Sequence, residues 1–201
     1  MSIAKSRAEH IKHLLETGAV KDWNREDAIK TGAKILSRKK VDDAHKEKSR
    51  YCAREFATFK DPSVFAAASD VDNTSLIDLL AVKRGHGIMC CDAVAAFGQA
   101  PDTEMIFIEA PEEHRAVVGQ HVLWQCLKVR EGRRKGARAW QDHFIETLLS
   151  QDCPGSFKQS LKSPTIFYSN DFEAALDLHV DEGYMTGPSE RMMQVFAQLE
   201  G

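Results

Sequence analysis

Ala175-Leu-Asp-Leu-His-Val-Asp-Glu-Gly-Tyr-Met-Thr186 reads as two short strands folded back on each other. The first, Ala175–Val180, is a mostly apolar run that ends in Asp181-Glu182 and the turn residue Gly183. Tyr184–Thr186 then pairs back on it. An earlier stretch has the same context: Ile88-Met-Cys-Cys91 is an apolar run that ends in Asp92, followed by Ala-Val-Ala-Ala-Phe97. If the two strands are neighbours, Asp92, Asp181 and Glu182 converge at their ends. Carboxylate oxygens gathered in that way suit Mg²⁺. The plainer reading is that Asp at a strand end caps backbone groups.

Working outward, residues 3–17 form an amphipathic helix with Ala4, Ala8, Ile11 and Leu15 in one stripe and Gly18 as its stop. Asn24 caps a short second helix that ends at Gly32. Residues 33–41 and 48–56 read as strands flanking the polar turn Asp42–Glu47. Asn73 is placed to cap a helix through Leu76, Ile77 and Leu80, stopped at Gly85, after which Ile88–Cys91 reads as a buried strand. Glu104–Ala110 follows as another short strand. Residues 133–150 make the strongest helix, with Ala137, Trp140, Phe144 and Leu148 in register. Strands near Thr165–Tyr168 and Ala175–Val180 precede a last helix opened by Pro188. The fold class is α+β, mainly antiparallel.

The chain of 201 residues has room for one domain, or one with a small appendage. No apolar run approaches the ~18–20 residues of a spanning helix, and the N-terminus lacks the apolar core of a secretory signal. Five cysteines, with no Cys-x-x-Cys pair, argue against a disulfide scaffold or a zinc ribbon. Cys90 and Cys91 should lie on opposite faces of their strand. An intracellular, cytoplasmic protein with reduced thiols is expected. The net charge of −3 hides an asymmetry: residues 1–60 carry +6, residues 61–201 carry −9, and residues 128–138 carry +5. Two basic islands on an acidic body suggest a polyanion held at defined places. A solvated helix face is the bland alternative.

Read in order, several segments together resemble the reverse transcriptase of copia-type long-terminal-repeat retrotransposons. Lys48-Ser-Arg50-Tyr-Cys-Ala-Arg54-Glu-Phe56 is similar to the family's fingers segment K-x-R-L-V-A-R-G-F. Asp92-Ala-Val-Ala-Ala96-Phe97 resembles D-V-x-x-A-F, and Glu104-Met-Ile-Phe-Ile-Glu-Ala-Pro111 resembles E-x-x-Y-M-x-x-P. Gly132-Arg-Arg-Lys-Gly-Ala-Arg138-Ala-Trp140 resembles G-L-K-Q-A-P-R-A-W, and His179-Val-Asp181-Glu182 with Thr186-Gly187 resembles Y-V-D-D followed by T-G. The match runs over residues 48–187, less clearly over 1–47.

The resemblance implies a lead-in at 1–47 and a fingers–palm domain at 48–201, with an antiparallel palm sheet packed on helices and no thumb, ribonuclease H or integrase part. It implies an RNA-directed DNA polymerase that adds deoxynucleotides to a primer 3′-hydroxyl on an RNA or DNA template, with no membrane partner. Asp92, Asp181 and Glu182 would be catalytic and hold Mg²⁺, with Mn²⁺ as a possible substitute. Phe97 would exclude a 2′-hydroxyl, and the N–H groups of Ala95 and Ala96 would face the triphosphate. Arg50 would cover the incoming base, and Gly132 would line the nucleotide pocket. Lys48, Arg54, Arg133, Arg134, Lys135 and Arg138 would contact nucleic acid. Departures are Glu182 for Asp, Glu131 for Tyr, Ala137 for Pro, Gly98 for Leu and His179 for Tyr. They keep a second reading open: an inactive retroelement remnant that only binds nucleic acid.

Overall fold

The structure, a computed structural model, describes residues 2–46, 48–57 and 59–199. Glu47, which the sequence assigns to the Asp42–Glu47 turn, lies outside the described residues, as do the last two of the 48–201 span. In chain order the elements are α1 (Ile3–Glu16), β1 (Val20–Asn24), α2 (Arg25–Lys30), β2 (Lys34–Asp43) and β3 (Lys48–Arg54). Next come α3 (Val71–Arg84), β4 (Gly87–Asp92), β5 (Ile106–Glu109), α4 (Glu112–Val118) and β6 (Val122–Cys126). The chain ends with α5 (Gly136–Leu149), β7 (Lys158–Gln159), β8 (Ile166–Ser169), β9 (Ala174–His179), β10 (Glu182–Gly187) and α6 (Ser189–Leu199). The protein is α+β.

These elements form two compact units, Met1–Val64 with Phe97–Ala139, and Phe65–Ala96 with Trp140–Gly201. A boundary at residue 47 is therefore corrected: it falls inside the β2–β3 hairpin, where Asp43 pairs with Lys48.

In the first unit the sheet order is β1-β6-β5-β2-β3, antiparallel except for the parallel β2–β5 pair. Side-chain alternation makes both faces apolar. Leu36, Ile106, Ile108 and Trp124 join Ile11 and Leu14 of α1 in one core. Phe107 and Leu123 pack with Ala28 of α2, Trp23 and Ile35 on the other side. Ala4 and Ala8, expected on the inner stripe of α1, are exposed. Bulky Ile11 and Leu14 bury more area than alanines can and so set the helix's rotation. Asn24 caps α2 as expected, accepting from the N–H groups of Glu26 and Asp27.

In the second unit a meander β7-β8-β9-β10 takes β4 on its outer edge, all antiparallel. Helix α3 packs Ile77 and Leu80 on Ile166, Ala175 and Tyr184. On the opposite face Phe144 meets Phe167 edge-on, with ring centroids 6.5 Å apart. The N-cap of α3 is Asp70, whose carboxylate accepts from Asn73 N–H, and Gly85 closes it at φ 67°. Asn73 is thus corrected as the cap: its amide donates to Ser163 and Thr165 instead. The buried strand expected at Ile88–Cys91 is an edge strand, with Ile88 44% exposed. An apolar run of four residues does not distinguish a central strand from an edge.

Candidate functional site

Strand β9 turns into β10 over two residues, since His179 and Glu182 are cross-strand partners. Val180 sits at φ 56°, a left-handed conformation that a β-branched side chain disfavours. The surroundings hold it there: Trp140 Nε1 donates to the Val180 carbonyl at 2.9 Å. Next along the turn, the Asp181 carbonyl accepts from Ala93 N–H at 2.8 Å. Asp92 lies directly opposite Glu182. Two segments 89 residues apart in sequence therefore meet at one end of one sheet. Gly183 permits the approach, because a Cβ there would lie 2.5 Å from Cys91 Sγ.

Asp92 and Glu182 are exposed and Asp181 is half-buried. Opposed residues share a sheet face, so Asp92, Glu182 and His179 stand in one row. These three also line a cavity of about 640 Å³ with Cys90, Asp177, Tyr184 and the first turn of α3. The carboxylates suit a hard cation by donor type and backbone position. Among the described residues, no three His, Cys, Asp or Glu groups are placed to hold a metal ion. Beyond Asp92 the chain turns sharply, with Ala95 at φ 52° and exposed and Ala96 buried. Phe97 belongs to the other unit, where its ring packs by Gly136.

The basic residues of the first unit have varied settings. Arg133 is a correction to the expected cationic strip. Its side chain is 3% exposed and pairs with Glu55 at 3.3 Å, Asp102 at 3.3 Å and Glu104 at 2.9 Å. Lys135 binds Glu104 at 2.6 Å, and Arg134 donates to the Phe59 carbonyl and lies over its ring. Burial pushes the Asp102 carboxyl up, against the pull of Arg133. For Glu55 the balance is reversed: burial is outweighed by Lys34, the Arg134 N–H and Arg133, which hold it below the usual range. Arg138 is exposed.

Arg50 is exposed but paired with Glu131 at 3.3 Å. Glu131 also accepts from Cys52, whose thiol is pushed up to about 11 by burial and by that carboxylate. Lys48, Arg50, Glu131 and Lys46 line a small cavity of about 250 Å³ on this hairpin. Arg54 is exposed over the Phe56 ring. Gly132 lies against β3, and a Cβ there would fall 2.0 Å from the Ala53 carbonyl oxygen. It is needed for backbone packing.

Sequence reasoning missed Asp177, which is buried on β9. The signal was present, as a single acidic residue within the apolar run Ala174-Ala-Leu-Asp-Leu. No family model matches this chain, and no curated protein matches it. Among the described residues no helix is long and apolar enough to cross a membrane.

Proposed function

We propose that this chain is the fingers–palm part of a copia-type reverse transcriptase, an intracellular RNA-directed DNA polymerase fragment of a retroelement. The observation that carries the reading is the pairing of Asp92 with the Asp181–Glu182 turn, secured by the Ala93–Asp181 backbone hydrogen bond. Asp92, Asp181 and Glu182 fall in one unit and the Lys48–Phe56 segment in the other, in keeping with their assignment to palm and fingers. Strain at Val180, next to the acidic pair, is of the kind that accumulates at functional turns.

Asp92 and Asp181 would hold Mg²⁺, with Glu182 as a third carboxylate. Bound there, such ions supply Lewis-acid stabilisation of the attacking and leaving oxygens. The protein's own groups do the rest. Ala95 and Ala96, in the unit of Asp92, would offer backbone N–H groups to a triphosphate, and Phe97, which lies in the other unit, would carry the resembled family's role of excluding a 2′-hydroxyl. Arg50 gives a planar cation for base and phosphate once Glu131 is displaced.

A second reading, the nucleic-acid-binding remnant, is favoured by Glu182, which adds one methylene where the resembled family has Asp, while Lys48, Arg54 and Arg138 stay exposed for a polyanion. Arg133 and Lys135 are occupied by carboxylates of their own unit and contribute little to that binding. Single-nucleotide extension of a primer on RNA and DNA templates, in Mg²⁺ and in Mn²⁺, separates the two. The polymerase reading expects template-directed addition that Asp92→Asn and Asp181→Asn abolish and Glu182→Asp raises. A chain that binds template–primer but is as inert as its Asp92→Asn variant is the remnant.

A further inference from the structure

The cavity between the sheet of the second unit and the start of α3 contains a group that the polymerase reading does not use. Asp177 is 2% exposed and lines the cavity. Its Oδ2 accepts from the Ser69 hydroxyl, while its Oδ1 is buried with no hydrogen-bond partner. A buried carboxylate oxygen left without a donor is costly. The rest of the lining carries the same sign: Asp70, Asp92 and Glu182 are acidic, and no Lys or Arg is among the lining residues. The positive pole of α3 does not reverse this, because Asp70 caps it and Asp72 lies in its first turn.

From these observations we infer that the cavity is a binding site for a small organic diamine. One ammonium donates to Asp177 Oδ1 at depth, and the other lies between Asp92 and Glu182 at the mouth. Tyr184 is opposite Asp177, and Glu182 is two residues further along the same strand. Strand geometry then puts the two acidic positions about 8 Å apart, a span an extended four-carbon diamine covers. The cavity volume, about 640 Å³, falls in the range of small-molecule sites. A cation satisfies the orphan oxygen and relieves repulsion among the carboxylates in one step. A neutral diol supplies the donor without the charge. The inference goes beyond the polymerase reading and does not rest on it.

The test is calorimetric titration of the full chain, free of nucleic acid and Mg²⁺, with putrescine and, in parallel, with 1,4-butanediol and NaCl. The expected result is saturable one-to-one binding of putrescine only, weakened roughly tenfold or more by Asp177→Asn. Because that variant alters a buried residue, a second readout uses the unmodified protein. Cys90 lines the cavity and is exposed, whereas Cys52 lies in the other unit. Saturating putrescine should slow alkylation of Cys90 and leave Cys52 unchanged. Absent or non-saturable binding, equal binding of the diol, an unchanged affinity in a folded Asp177→Asn variant, or no protection of Cys90 overturns the inference.

Discussion

The Asp181 turn and the Arg133 cluster each bring together acidic side chains from distant parts of the chain, and they treat them in opposite ways. Around Arg133, the carboxylates of Glu55, Asp102 and Glu104 surround a guanidinium in the interior of the first unit. At the turn, Asp92 and Glu182 face each other across two strands, exposed. The first arrangement encloses its guanidinium with carboxylates, those of Glu55 and Asp102 buried with it, so it holds the fold. The second has its carboxylates turned outward on a strained turn, so it is available to a ligand. Charge density alone does not reveal function; the state of its neutralisation does.

That contrast can be broken most forcefully at Arg133. Arg133→Met leaves three carboxylates facing one another, two of them buried, and should cost about 3–5 kcal/mol. Urea unfolding of the variant measures it. Neutralising the turn should be nearly silent in the same assay, with Asp92→Asn and Glu182→Gln each within about 0.5 kcal/mol. If the turn variants unfold as readily as Arg133→Met, the division into structural and available charge is wrong.

Backbone geometry sharpens the comparison at smaller magnitude. Gly132→Ala must move β3 or its own loop, and it also sits at φ 85°. A loss of about 2–3 kcal/mol is expected, read as a lower urea midpoint. Val180→Gly releases the opposite kind of stress and should raise stability by about 1 kcal/mol. If the strain serves the turn's geometry, the same variant weakens ligand binding while it stabilises the fold.

The smallest effect at neutral pH belongs to His10, whose ring stacks on Tyr51 and whose Nδ1 accepts from Tyr51 N–H. Burial, then the nearby Arg130 charge, lowers it to about 4. An unfolded histidine takes up its proton near 6.5 and the folded one only near 4, so stability is lost as pH falls through that window. His10→Asn, whose amide oxygen can take the Tyr51 N–H, should change the urea midpoint little at pH 7 and remove this part of the slope below pH 6.5. An unchanged slope would assign the acid sensitivity elsewhere.

Much of the second unit was legible because its signals are local. Apolar runs that stop at Asp92 and Asp181, Gly85 at a helix end and Pro188 before another mark elements without tertiary knowledge. Strands β1 and β6 were not legible. Val20-Lys-Asp-Trp-Asn24 has weak alternation, and only its pairing with Val122–Cys126 makes it a strand. The cap of α3 was misplaced because Asn73 and Asp70 both suit the role, and the partners Ser163 and Thr165 that claim Asn73 lie some 90 residues away. The burial of Arg133 was hidden for the same reason. Within 128–138 the sequence shows six basic residues against one Glu, and the carboxylates that neutralise Arg133 come from residues 55, 102 and 104.

The central claim, that the acidic turn is the available site and the Arg133 cluster is not, is tested most directly with a paramagnetic cation. Mn²⁺ added at substoichiometric levels to ¹⁵N-labelled protein broadens the amide signals nearest to where it binds. The account predicts broadening centred on residues 92–93 and 180–183, lost in Asp92→Asn and in Asp181→Asn. Broadening centred on Glu55, Asp102 and Glu104, or broadening at the turn that survives both substitutions, would contradict it.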